Sequence, residues 1–158
     1  MLILNEYRVS LLMLAASKGF SDICQLLLDY GACVGDISAS GISALMLAVE
    51  ARSFKIAKLL LRNGSSIQHR DNNGNSVLHH AIPCSNQLLR LLLGHGSNVN
   101  VMNSRHVSPL MAAGSASNCG NSLLLAKAGA YFYPKGISVW NYFTKEVKSH
   151  LIKNGFKL

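Results

Sequence analysis

One phrase occurs four times in this chain and constrains its fold more than any other feature. The copies are Ser10-Leu-Leu-Met-Leu-Ala-Ala16, Ser43-Ala-Leu-Met-Leu-Ala-Val49, Ser76-Val-Leu-His-His-Ala-Ile82 and Ser108-Pro-Leu-Met-Ala-Ala-Gly114, and their serines stand 33, 33 and 32 residues apart. Each copy leads into a leucine-rich run that ends at Gly31, Gly64, Gly96 or Gly129, spaced 33, 32 and 33 residues. Two landmarks holding one period over most of the chain define a repeat array, in which each unit stacks on its neighbours.

Every period reads alike. The serine hydroxyl is an N-cap for a short apolar helix, and Pro109 sits at the first helical position, where its missing N–H costs nothing. These first helices are predicted to run to about Ser17, Glu50, Pro83 and Ser115. After a turn, a second helix carries Ile23, Leu26 and Leu27 and their counterparts at i, i+3, i+4 spacing on one face. The glycines then end it in a left-handed conformation. About a dozen residues follow before the next serine. Val34, Ile67, Val99 and Phe132 recur three residues after the glycine and predict an apolar anchor. Gly41 and Gly74 predict a tight turn at each loop tip, a position held by Arg8 in the first unit and Gly136 in the last.

The phrase resembles the ankyrin repeat, whose pattern is G-x-T-P-L-H-x-A, a helix ending L-L-x-x-G-A and a valine-containing hairpin. Asp71-Asn-Asn-Gly-Asn-Ser-Val-Leu-His-His-Ala81 carries the best single match, and Leu27-Leu-Asp-Tyr-Gly-Ala32 the second landmark. The resemblance implies an all-α repeat solenoid of helix-turn-helix units joined by projecting β-hairpin-like loops. It places one domain over 1–158, with repeats at 5–37, 38–70, 71–102 and 103–132 and a shortened cap over 133–158. Met13, Met46 and Met111 replace the histidine that in the family bonds a neighbouring loop; only His79 keeps it. Arg52 stands at the turn where Gly19 stands, and the third repeat is one residue short there, beside Pro83. Gly114 and the stretch 115–122 are poor in apolar residues, so the fourth repeat is expected to be the least stable. Trp140, Tyr142 and Phe143 are expected to cover the last apolar face. The first repeat begins almost at Met1: either its outer face lacks a polar cap or the chain was cut from a longer array.

The same resemblance implies a scaffold or adaptor that binds a protein partner through the hairpin tips and the exposed ends of the first helices. Carried onto matching positions, the tips are Ala39, Ser40 and Ile42; Asn72, Asn73 and Asn75; Ser104, Arg105 and Val107. The helix ends are Ser17, Lys18, Glu50, Ala51, Pro83, Cys84, Ser115 and Ala116. Ile42 and Val107 are expected as exposed apolar contacts. Asn100, in Ser97-Asn-Val-Asn100, occupies a place where family members can be hydroxylated.

Charge offers a second reading. The net charge of +8 is uneven: residues 1–71 hold seven Lys/Arg against six Asp/Glu, residues 72–158 eight against Glu146 alone. Lys145, Lys148 and Lys153 share roughly one helical face, so nucleic acid or acidic lipid is an alternative partner, bound without sequence specificity. Catalysis is not expected, because no phosphate-binding glycine loop, nucleophile elbow or set of paired acids occurs. No cofactor is expected. His79, His80, Cys84 and His95 lack a zinc-finger spacing. Four cysteines without a CxxC motif predict free thiols in a reducing cytoplasm or nucleus. No run reaches the roughly 18 apolar residues of a membrane span. The apolar stretch after Arg8 could pass for a signal peptide, but it recurs at Ser43 and Ser108, so it is assigned to a repeat helix. A monomer is expected.

Overall fold

Each serine of the repeated phrase starts a helix. In the computed structural model, which describes residues 7–132 and 138–157, nine α-helices and a 3₁₀ turn occur among the described residues. The phrase forms α1 (Leu11–Lys18), α3 (Ala44–Glu50), α5 (Val77–Ala81) and α7 (Pro109–Ser115). The leucine runs form α2 (Ser21–Asp29), α4 (Phe54–Arg62), α6 (Asn86–Gly94) and α8 (Cys119–Lys127). The 3₁₀ turn over Val139–Tyr142 and α9 (Lys145–Lys153) close the array. The hydroxyls of Ser10, Ser43 and Ser108 accept from the N–H groups of Met13, Met46 and Met111 at 3.3, 3.3 and 3.2 Å. These are the N-caps that the sequence predicts.

The helices stack in two layers. α1, α3, α5 and α7 pack in sequence and end on the 3₁₀ turn; α2, α4, α6, α8 and α9 form the second layer. First helices are enclosed by the second layer, by both neighbours and by the loops, so Leu12, Met13, Leu45, Met46, Leu78, Leu110 and Met111 are fully buried. That enclosure explains why the phrase has almost no polar face. Second helices bury one stripe, including Ile56, Leu60, Leu88 and Leu92. Gly31, Gly64, Gly96 and Gly129 all take positive φ at the ends of that layer, between 79° and 87°. Val34, Ile67, Val99 and Phe132 pack half-buried on the core. Each loop closes as a hairpin with at most one bridging pair, Ile37 with Ser43 and Arg70 with Ser76, and no strand forms among the described residues.

The third repeat departs from this plan, and the fourth compensates. α5 stops at Ala81, earlier than the predicted Pro83: one residue is missing before α6, and although Ile82 keeps helical angles, Pro83 has no N–H with which to continue the helix. Carbonyls at the break are left without helical partners. Asn118 donates to the Ile82 carbonyl at 2.8 Å, and Asn121 to those of Ile82 and Cys84 at 3.0 and 3.3 Å. Asn121 stands in register with Ile23, Ile56 and Leu88 and is fully buried. The polar run that gives the fourth repeat its thin core therefore ties it to the third.

The last unit shortens its first helix to the 3₁₀ turn. Its aromatics close the stack: Phe132 stacks on Trp140 at 5.0 Å between ring centroids, and Phe143 meets Trp140 edge-on at 5.1 Å. Gly114 makes room for this, since a Cβ there would overlap the Phe143 ring. Lys135 and Gly136 lie outside the described residues.

Two substitutions test these packings. Asn121→Leu restores the residue type of the preceding repeat, yet is expected to destabilise by about 1–3 kcal/mol in urea unfolding, because it leaves the Cys84 carbonyl unpaired and the Ile82 carbonyl with Asn118 alone. Gly114→Ala is expected to cost roughly 1–3 kcal/mol by overpacking against Phe143; an unchanged midpoint would refute the close contact.

Candidate interaction surface

The loops are built from one side chain in each repeat. At Ser38, Asp71 and Asn103, 33 and 32 residues apart, a short polar group turns back on its own loop. Ser38 Oγ accepts from Ile42 N–H at 3.1 Å. Asp71 Oδ1 accepts from Asn73 and Asn75 N–H at 2.9 and 2.8 Å, and Asn103 Oδ1 from Arg105 and Val107 N–H, both at 3.0 Å. Such side-chain turns replace the missing strand ladder. Sequence reasoning did not assign these residues a role. The signal was present: a Ser, Asp or Asn three residues before each Gly41, Gly74 or His106.

Tips then bond to one another. Ala39 N–H donates to the Tyr7 carbonyl at 2.9 Å, Asn72 N–H to that of Ser40 at 3.1 Å, and Ser104 N–H to that of Asn73 at 2.9 Å. Asn72 Nδ2 adds a bond to the Ala39 carbonyl at 2.9 Å and Asn103 Nδ2 one to Asn75 Oδ1 at 2.9 Å. Arg70 bonds the Gly74 carbonyl and reaches the Met102 carbonyl of the next loop. Gly41 and Gly74 take positive φ at the tips, and the next loop occupies the space where a Cβ would lie: Asn72 beside Gly41, Ser104 beside Gly74. Arg8 and His106 hold the same left-handed turn with side chains, at φ 56° and 57°. Farther along the loops, Asn100 Oδ1 accepts from Tyr131 N–H at 2.8 Å, so this amide joins the third and fourth loops.

First helices lock onto this row through His79. Its Nδ1 accepts from Ser76 N–H at 3.1 Å, which leaves Nε2–H to donate to the Val107 carbonyl of the next loop at 2.9 Å. Met111 reproduces the first half only: its sulfur accepts from Ser108 N–H at 3.4 Å, and it has no donor for a loop. His80, one residue on, lies on the concave side. It meets Glu50 Oε1 through Nδ1 at 2.7 Å and Asp71 Oδ2 through Nε2 at 3.2 Å. A neutral imidazole carries one N–H, so only the imidazolium donates to both carboxylates at once.

The predicted site residues fall into three groups. Lys18, Ala39, Ser40, Glu50, Asn72, Asn73, Pro83, Ser104 and Arg105 are exposed along the concave side and the tips, as are Ser115 and Ala116. Ser17, Ile42, Ala51, Asn75 and Val107 are half-buried. Ile42 and Val107 are therefore not projecting apolar contacts: they pack on the core because the tip turns back before them. Asn75 is held inward, its amide on Asp71 at 3.0 Å. Cys84 is buried, with its thiol donating to the Val49 carbonyl at 3.2 Å, and presents nothing at the surface. Burial pushes its pKa up. His79, His80, Cys84 and His95 each go to a different partner, His95 to the Leu91 carbonyl of its own helix.

Between the first two repeats, Tyr7, Val9, Met13, Ser38, Ala39, Ser40, Ile42 and Leu47 line a hollow of about 280 Å³. Leu14, Leu47, His80 and Ala112 stand in register along the concave face. Along this line the surface is apolar at Leu14 and Leu47 and polar at His80, which meets the exposed Glu50 of the second repeat and the buried Asp71.

Comparison with known proteins agrees with this geometry. The model for three ankyrin repeats matches residues 2–71, and that for a single ankyrin repeat matches residues 73–104. The chain belongs to the ankyrin repeat family. It is similar to the ankyrin repeat protein FPV031 of Fowlpox virus, with 32% identity over 110 residues, 67% of this chain and 32% of that protein. An ankyrin repeat protein of Rickettsia felis is 33% identical over 95 residues, 59% of this chain and 25% of its own length. The B-cell lymphoma 3 protein homolog of Mus musculus is 31% identical over 115 residues, 69% and 25% of the two chains. The chain spans a third or less of the length of these relatives. The family matches end at residue 104, yet α7 and α8 stack on the third ankyrin repeat as the earlier pairs stack on each other.

Burial pushes the His79 imidazole down, outweighing the Val107 carbonyl that favours its charged form. The stability it lends is complete above the ordinary histidine value of 6.5 and falls as the pH drops below that toward the lowered native value. Burial pushes the Asp71 carboxyl up, but bonds from Asn75 and Asn73 and the charge of His80 hold it below the ordinary 3.8. Its contribution is present above that value and is lost in stronger acid. His79→Met is expected to cost about 1 kcal/mol at neutral pH through the lost Val107 bond. It is also expected to flatten the fall in melting temperature between pH 7 and 5; equal slopes in variant and parent would contradict this.

Proposed function

We propose that this ankyrin array is a scaffold or adaptor that binds a protein partner through its concave face and loop tips, and that it performs no catalysis of its own. Ankyrin repeats are in general protein–protein interaction modules. The observation that carries the reading is the row of mutually bonded tips. The backbone turns are held rigidly while Ser40, Asn73, Ser104 and Arg105 stay exposed. A rigid row of exposed side chains loses little backbone freedom on binding. The concave polarity narrows the partner's chemistry. An apolar side chain suits the hollow at Ile42 and Leu47, and a basic one beside it suits the exposed Glu50. Four free thiols suit a reducing cytoplasm or nucleus.

Affinity purification with mass spectrometry is the direct test, with a variant carrying Ser40→Ala, Asn73→Ala, Ser104→Ala and Arg105→Ala in parallel. The expected outcome is a protein recovered with the parent chain and at least about tenfold less with the variant, a loss near 1.4 kcal/mol, at unchanged melting temperature. Equal recovery would sink the concave-face reading.

One observation supports the alternative, an anionic partner at the cap: α9 buries Val147 and Leu151 and leaves Lys145 and Lys153 outside. That reading requires affinity for RNA or acidic vesicles that falls steeply with added salt.

A further inference from the structure

At the junction of the second and third repeats, His80 stands between two carboxylates. Its Nδ1 lies 2.7 Å from Glu50 Oε1 and its Nε2 3.2 Å from Asp71 Oδ2. The repeat plan requires none of these three groups. The positions in register with Glu50, Asp71 and His80 are Ser17, Ser38 and Leu47 one repeat earlier, and Pro83, Asn103 and Ala112 one repeat later. No ionisable group occurs among those six. Ser38 and Asn103 hold the loop turn without a charge, so the turn does not explain why residue 71 is an acid.

The two acids are held differently. The Asp71 side chain is 3% exposed, and its oxygens also accept from the N–H groups of Asn73 and Asn75 and from the Asn75 amide. It is fixed in place. Glu50 is the last residue of α3, and its side chain, 48% exposed, has solvent to turn into. An imidazolium donates to both acids. A neutral ring has one N–H and one lone pair, and a lone pair set against a fixed, buried carboxylate oxygen is costly. The neutral ring therefore keeps its proton on Nε2 for Asp71. Its Nδ1 lone pair then faces Glu50, which moves away.

Few other charges surround the ring. The turn after α3 carries Arg52, and the loop carries Arg70, whose guanidinium bonds the Gly74 and Met102 carbonyls. On its own side are His79, turned to the Val107 carbonyl, and Cys84, whose thiol is on the Val49 carbonyl. α6 holds only Arg90, α7 no titratable residue, and the next loop tip Arg105 and His106, both exposed.

We propose that His80 is a pH-operated clasp on the concave face: protonated, it holds Glu50 against the third repeat, and neutral, it releases the Glu50 carboxylate to pair with a basic side chain of the partner. The proposal rests on the concave-face reading above, in which Glu50 is the contact for a basic group. Histidine changes charge within about pH 5–8. Affinity for a basic side chain therefore rises with pH across that range and falls in mild acid.

NMR on the isotope-labelled full chain, from about pH 5 to 8, follows the Glu50 side-chain carboxyl and the His80 ring. The expected result is a Glu50 step that shares the midpoint of the His80 ring and is absent in His80→Asn. The dipeptide acetyl-Leu-Arg-amide, one apolar and one basic side chain, is then titrated into the same chain. Its dissociation constant is expected to be at least about threefold lower at the alkaline end of the range than at the acid end. His80→Asn or Glu50→Gln is expected to abolish that difference. If His80→Asn loses helicity, Glu50→Gln, at an exposed position, gives the dipeptide comparison alone. A His80 ring that does not titrate in this range overturns the clasp, as does a flat Glu50 signal, a step that persists in His80→Asn, or equal dipeptide affinity at both ends. A dipeptide that binds at neither end while the Glu50 step is present upholds the release and overturns the pairing with a basic group, so the clasp and the concave-face reading fail separately.

Discussion

Helices of five to nine residues do not hold their shape alone in water, because each hydrogen bond gained near a helix end barely offsets the residues it orders. In this chain the missing stability comes from stacking. A first helix such as α3 is covered by α1, α5, α4 and the loops along most of its length, and only its last residue, Glu50, carries a charge into solvent. The repeated phrase is therefore almost wholly apolar, and its serines are buried N-caps. Stacking is a nearest-neighbour interaction, so an irregularity in one repeat has to be met in the next. Asn118 and Asn121 meet the break at Pro83 in this way, and Gly114 meets the Phe143 ring.

The loops follow the same logic with polar groups. They lack a sheet ladder, so each tip is held by one short side chain of its own and by one backbone bond to the tip before it. The result is a rigid row whose outward side chains are free to vary without loss of the turn. His79 joins the row to the helices from inside, and His80 joins Glu50 to Asp71 from outside. Two adjacent histidines thus have opposite environments: one favours its neutral form by burial, the other bridges two carboxylates.

Much of the loop geometry at the candidate surface was legible because backbone roles recur at a fixed period. The tips Ser40, Asn73, Ser104 and Arg105 could be placed by register alone, and they are exposed. Register did not say how deep a residue sits. Ile42 and Val107 follow the turn and fall back on the core, and Cys84 follows a helix that ended early and is drawn beneath Val49. Asn75 looks like a tip in sequence and is consumed by Asp71 and Asn103. For Cys84 the deciding contact, the Val49 carbonyl, comes from another repeat; for Ile42, Asn75 and Val107 it comes from the polar residue four positions earlier in the same loop.

By itself the sequence determined the repeat, its period, the caps and turns, and membership in the ankyrin family, because these depend on local chemistry repeated in register. Only the tertiary structure decided that a polar fourth repeat is joined to the third by buried amides, and that His80 stands between two carboxylates. Both depend on what lies across an interface. A histidine in the repeated phrase has the same place in the sequence whatever faces it, and an asparagine at a core position has meaning only beside the carbonyls it bonds.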